Sequence, residues 1–243
     1  MKPLRDASDD DALATAEASR TDGRVTGWTS AALFGVMWAG VPWAAPLAAA
    51  APLAFVLRRG DVRLRTSLVT RWVATVWALG VVCIGLMGAR AVRTVPFGLV
   101  GSDHARGWLD GAGATPTGPW AMLAASAGFA IAAATTRGLL GCVALAAIVL
   151  WTGVTAGVVY ARSNNVFEAT AVALPLWTLL WVAGLTVALA PLSALSPSRR
   201  RSEGDVLPRR TLLVAAALVA AAVLVRLAAA PLYTELAQRL TVQ

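Results

Sequence analysis

Side chains able to do chemistry are few in this 243-residue chain, and they are scattered. Ser102, Asp103 and His104 adjoin in one polar segment and are residue types that hydrolytic enzymes use. Histidine titrates near neutral pH and suits acid–base work. A nucleophilic centre, however, is built from groups that converge in space, and adjacency in sequence is no sign of it. Neither Gly-x-Ser-x-Gly, His-Glu-x-x-His nor a phosphate-cradling glycine loop occurs. His104 is the only histidine, so no pair of histidines can hold haem or a metal. Cys83 and Cys142 stand singly inside apolar runs, without Cys-x-x-Cys spacing, and read as small hydrophobes. No catalytic residue, cofactor or metal ligand is assigned from the sequence.

Four residues stand out instead as candidates for binding a substrate: Trp151, Trp177, Trp181 and Arg226. Trp177 and Trp181 are four apart, hence on one helix face. With Trp151 they can line a cavity for an apolar or cationic ligand. The competing role is to fill space between alanine-rich helices. Arg226 is the sole charge well inside an apolar run, and an ionisable group there marks a functional site by default. Its distance to Leu232 is only about 9 Å of helix, so its long side chain can also snorkel to the end of the run, toward Glu235. No Asp or Glu falls inside an apolar run, which argues against proton- or cation-coupled transport.

The elements that carry these residues follow from composition. The chain is 58% hydrophobic and 14% charged, against about 25% charged in soluble domains. Its solvent is therefore expected to be a lipid bilayer, as an all-α, polytopic transmembrane helix bundle in the cell membrane. The net charge of +8 does not point to nucleic acid, because the basic residues punctuate apolar runs and form no stripe. Residues 1–26 are polar and read as an exposed tail, with at most a short helix over residues 9–20. Residues 27–243 read as a transmembrane helical domain of about six membrane-spanning helices. The expected spans are 28–57, 68–89, 120–136, 139–160, a fifth from near Glu168 to 190, and 211–232. Pro42, Pro46 and Pro52 interrupt the first, which is expected to kink, and Pro175 is expected to kink the fifth. Asn165 and Glu168 have the spacing of a helix cap at its start.

Two short segments hold spans together. Arg137-Gly138 is a tight turn, so the flanking spans form an antiparallel hairpin. Gly153 and Gly157 form a strip that is expected to meet Ala124, Gly128 and Ala132 across that hairpin, since close approach at small residues drives helix packing in lipid.

The basic residues cluster in two loops, 58–71 and 191–210, which are expected to face the cytoplasm and to dock a partner protein. With six spans both termini then lie outside, although the basic count of the two faces is nearly even, at 11 to 9. Six spans, no coupling carboxylates and no nucleotide-binding motif suggest a permease-like subunit that moves a small or amphipathic substrate with a partner such as an ATPase. The layout is similar to that of permease subunits of ATP-driven exporters, a likeness that no motif carries. The alternative is a non-catalytic scaffold or accessory subunit of a larger membrane complex.

Overall fold

The computed structural model describes residues 7–39, 44–57, 62–94, 119–162, 167, 170–171, 174–195 and 209–241. Among them there is no strand, and seven helices follow one another: α1 (Ala7–Trp38), α2 (Ala45–Leu57), α3 (Val62–Thr94), α4 (Pro119–Thr135), α5 (Leu139–Arg162), α6 (Leu176–Ala194) and α7 (Arg209–Thr241). The expected all-α class is what these residues adopt.

Several boundaries differ from the sequence reading, each for a local reason. The division expected at residue 26 falls inside α1, which runs without a break from the polar segment into the apolar one. Three aspartates at residues 9–11 lie near its N-terminus, where the helix dipole favours negative charge. The expected kinked span 28–57 is two helices, α1 ending at Trp38 and α2 beginning at Ala45, and Pro42 lies outside the described residues. Pro46 sits in the first turn of α2, where a missing N–H is harmless. The thirteen residues of α2 rise about 20 Å, short of a bilayer core of about 30 Å. The basic stretch 58–71 is mostly not a loop. Helix α3 begins at Val62, so Arg63, Arg65 and Arg71 are helical residues, as suits a good helix former.

At the other end of the chain, Pro175 does not kink a span. It is extended (φ −60°, ψ 139°) and precedes the first residue of α6, its fixed φ setting the helix entry. The cap expected at Asn165 and Glu168 lies outside the described residues. The second basic stretch, 191–210, is likewise shared with helices: α6 continues through Pro191 to Ala194, and α7 starts at Arg209.

The hairpin of α4 and α5 forms as the sequence implies. Arg137 and Gly138 both take positive φ, 53° and 85°. The Gly138 N–H donates to Ala133 O at 2.8 Å, closing the C-terminus of α4. Thr136 Oγ1 then accepts from Leu140 N–H at 2.9 Å and caps α5.

Packing is most extensive between α6 and α7 and between α3 and α5. The α3–α5 crossing is close because glycines meet there. A Cβ added at Gly153 would lie 2.5 Å from Trp77 O and 3.2 Å from Gly80 Cα. Gly153 therefore does not face the α4 strip: Gly128 has open space where its Cβ would be. At the α6–α7 seam a Cβ on Gly184 would meet Val219 Cγ2 at 2.9 Å and Ala215 O at 3.0 Å. The α2–α3 pair is pinned by Trp72, whose indole N–H donates to Ala49 O at 3.0 Å.

Helix α6 and the Arg209–Tyr233 part of α7 are long and apolar enough to cross a membrane. Shorter apolar helical segments are Ala45–Leu57, Thr66–Val82, Pro119–Thr135 and Leu139–Val154. Large apolar side chains also lie on the outside, including Phe34, Phe55, Trp120, Ile131, Leu213 and Leu232.

Candidate functional site

Three of the four singled-out residues converge where α4, α6 and α7 meet. Arg226 lies in α7, flanked by apolar residues, and only 6% of it is exposed. Its Nη1 donates to Met122 Sδ of α4 at 3.7 Å. The guanidinium thus turns inward against a neighbouring helix and does not snorkel along the outside of its own. A pairing with Glu235 concerns a side chain outside the described ones.

Trp177 and Trp181 project from one face of α6, one turn apart, and are 2% and 1% exposed. The Trp181 indole N–H donates to Ser126 Oγ at 2.9 Å. The Ser126 hydroxyl in turn donates to Met122 O at 2.8 Å, so its proton is engaged within α4. Trp177 packs edge-on against Tyr233, with ring centroids 4.9 Å apart and planes at 74°. Tyr233 is seven residues beyond Arg226, two turns along α7, and hence on the same face. The Trp177 Nε1 and Thr178 Oγ1 atoms are buried without a hydrogen-bond partner, a cost that native interiors usually avoid.

The arrangement is an inward cation against a thioether of α4, which Ser126 links to the Trp181 indole, with the Trp177–Tyr233 ring pair between α6 and α7. Trp151 is not part of it: it lies on α5, half-buried, and takes part in none of these bonds. Sequence reasoning missed Met122, Ser126 and Tyr233. Ser126 is the one hydroxyl in the interior of the α4 run, and Tyr233 stands at helical spacing from Arg226, so both carried a usable signal.

A second polar group joins α1 to α3. Arg71 Nη1 lies 2.6 Å from Asp22 Oδ2, with the Asp22 side chain 11% exposed and that of Arg71 61% exposed. On the same two helices Thr29 Oγ1 and Trp77 Nε1 are buried and unbonded.

Ser102, Asp103 and His104 lie outside the described residues. Among those described, no three His, Cys, Asp or Glu side chains gather to hold a metal. Cys142 is buried in the core, as a small hydrophobe would be, and forms no disulfide. Compared with known proteins, the chain matches no family model, no curated protein and no solved structure.

Proposed function

We propose that this chain is a multi-pass protein of the cell membrane, a permease-like subunit that moves a small or amphipathic substrate together with a partner protein such as an ATPase. The observation that carries the reading is Arg226, a cation buried among apolar helices and turned against Met122 of α4. A charge in such surroundings is expensive and is retained where it acts on something. The outward-facing apolar side chains support the bilayer as solvent, since soluble proteins seldom expose so many.

The topology we propose has five full crossings, α3 to α7, rather than six. Asp22 is bonded to Arg71, the last basic residue before the apolar part of α3. Residue 22 and the basic start of α3 then share one face, so α1 and α2 together enter and return on the same side. The N-terminal segment joins the arginine-rich face. The basic count becomes fifteen on that face against five on the other, Arg226 aside. Such an asymmetry identifies the cytoplasmic side. The partner would dock there, on the basic stretches 58–71 and 191–210.

The alternative, a rigid scaffold within a larger complex, is favoured by the glycine crossings Gly80–Gly153 and Gly184–Ala215, which leave little room for helices to shift. Affinity purification of the full chain from mild detergent separates the two. Stoichiometric recovery of an ATPase supports the permease. Recovery of a multisubunit assembly without one supports the scaffold.

A further inference from the structure

We infer that the first turn of α6, residues 176–178, binds the carboxylate of an apolar substrate at the break that Pro175 makes in the helix. The inference rests on the permease reading above and names the class of substrate.

At the break two helical segments meet without joining. The Leu174 N–H donates to Thr170 O at 3.0 Å, closing one α-helical turn. Pro175 has no N–H and is extended, and the Thr178 N–H then donates to Pro175 O at 2.9 Å to open α6. No charged residue occurs from 169 to 190, so the break falls within an apolar run. A helix start leaves its first N–H groups without intrahelical acceptors, and no side chain caps this one. Inside a bilayer such backbone is tolerated where it is buried in protein or lines a site.

A hydroxyl in the same turn is also unserved. Thr178 is 2% exposed, and its Oγ1 has no hydrogen-bond partner. The other two hydroxyls of α6 donate to their own helix, Thr186 to Val182 O at 2.7 Å and Ser193 to Ala190 O at 2.7 Å. For Thr178 the equivalent acceptors are Leu174 O, across the break, and Pro175 O, which already accepts from the N–H groups of Thr178 and Leu179. Side chains on a helix lean toward its N-terminus, and Oγ1 is one bond beyond Cβ. Covalent geometry thus keeps the hydroxyl at the end where the unserved N–H groups are. Of the four buried side-chain atoms without a partner among the described residues, Thr178 Oγ1 and Trp177 Nε1 both belong to this turn.

What completes a turn of donors is an acceptor, and at a helix start that acceptor is best an anion. The N-terminus carries about half a positive charge and holds anions through its N–H groups. A carboxylate fits by count and by charge. One oxygen takes the N–H groups and the other takes the Thr178 hydroxyl. Its single negative charge is nearer the share of the dipole than the roughly two charges of a phosphate. Half-helices that begin inside a membrane meet anionic groups of substrates in this way. Leu176 and Leu179, 57% and 46% exposed, flank the turn on its outer side, which suits an apolar body on that carboxylate.

The test is equilibrium dialysis of radiolabelled benzoate against the purified full chain in a neutral maltoside detergent, with benzamide and inorganic phosphate as competitors. Benzoate should bind saturably. Thr178→Val keeps the shape, removes the hydroxyl and should weaken binding about tenfold, as loss of one hydrogen bond to an ion does. Thr186→Val, whose hydroxyl is engaged within α6, should change affinity by less than about twofold. Benzamide, with the same ring and no charge, should compete about tenfold less well or worse. Absence of saturable binding, or equal affinity in Thr178→Val and the unaltered chain, would overturn the site. Benzamide competing as well as benzoate would overturn the anion, and inorganic phosphate competing better would overturn the carboxylate. If Thr178→Val does not fold, Thr178→Ala is read in its place. The assay needs neither partner nor transport. Absence of an ATPase in the purification would leave this site standing, and failed binding here would leave the permease reading without this substrate.

Discussion

Asp22 and Arg71, forty-nine residues apart in sequence, form an ion pair of 2.6 Å that ties the first helix to the third. The two ends are unequal, because the Asp22 side chain is buried while Arg71 is largely exposed. Removing Arg71 leaves a buried carboxylate without its counter-charge. Removing the charge of Asp22 leaves an exposed guanidinium that water can serve. Arg71→Ala should therefore cost about 2 kcal/mol and Asp22→Asn about 1 kcal/mol or less. Thermal melts of the two variants in one detergent check the order. The reverse order would mean that Asp22 is not the buried partner.

The crossing of α3 and α5 depends on two glycines lacking side chains. Gly153→Ala places a methyl 2.5 Å from the Trp77 carbonyl, a backbone atom that cannot rotate away. The helices must then separate, at about 1–3 kcal/mol. Gly128→Ala meets nothing within 4 Å and should change the melting temperature little. If both variants melt alike, the α3–α5 contact is not made at Gly153.

Gly138 is needed for two separate reasons. Its φ of 85° suits glycine, and a Cβ there would lie 2.8 Å from that of Ser193 in α6. Gly138→Ala should destabilise by about 1–3 kcal/mol through backbone strain alone. Ser193→Gly, combined with it, should recover only the steric part. The double variant compared with Gly138→Ala in a melt separates the two contributions.

Ser126→Ala strips the acceptor from the buried Trp181 indole. The orphaned N–H should cost about 1–3 kcal/mol. Trp181→Phe on the Ser126→Ala background removes the orphan and should restore part of that loss. A double-mutant cycle on melting free energies reads the coupling, and a coupling near zero would mean that the bond is not formed.

The sequence disclosed those features that are written locally. Arg137-Gly138 allows one kind of turn, and the apolar runs on either side are helices of nearly the expected lengths. Periodicity likewise put Trp177 and Trp181 on one face. The ends of helices were harder, because arginine ends an apolar run without ending a helix: α3 runs through Arg63, Arg65 and Arg71. For the same reason α1 continues from polar into apolar sequence. Helix rotation was not legible at all. Gly153 carried the mark of a packing residue, but whether it meets α4 or α3 depends on how α5 is turned, which only the assembled bundle decides. The inward turn of Arg226 has the same origin. A snorkelling arginine and a buried one have identical neighbours in sequence and differ in which helix stands beside them.

Sidedness of the two termini is the most direct test. A reporter active only in the cytoplasm is fused ahead of Met1 in one protein and after Gln243 in another. In the proposed topology, α1 and α2 return to the face where Asp22 meets Arg71 and five helices cross thereafter, so the N-terminal fusion should be active and the C-terminal one silent. The same reading at both ends would mean an even number of crossings. It would separate the N-terminal segment from the arginine-rich face and contradict the proposed five-crossing arrangement.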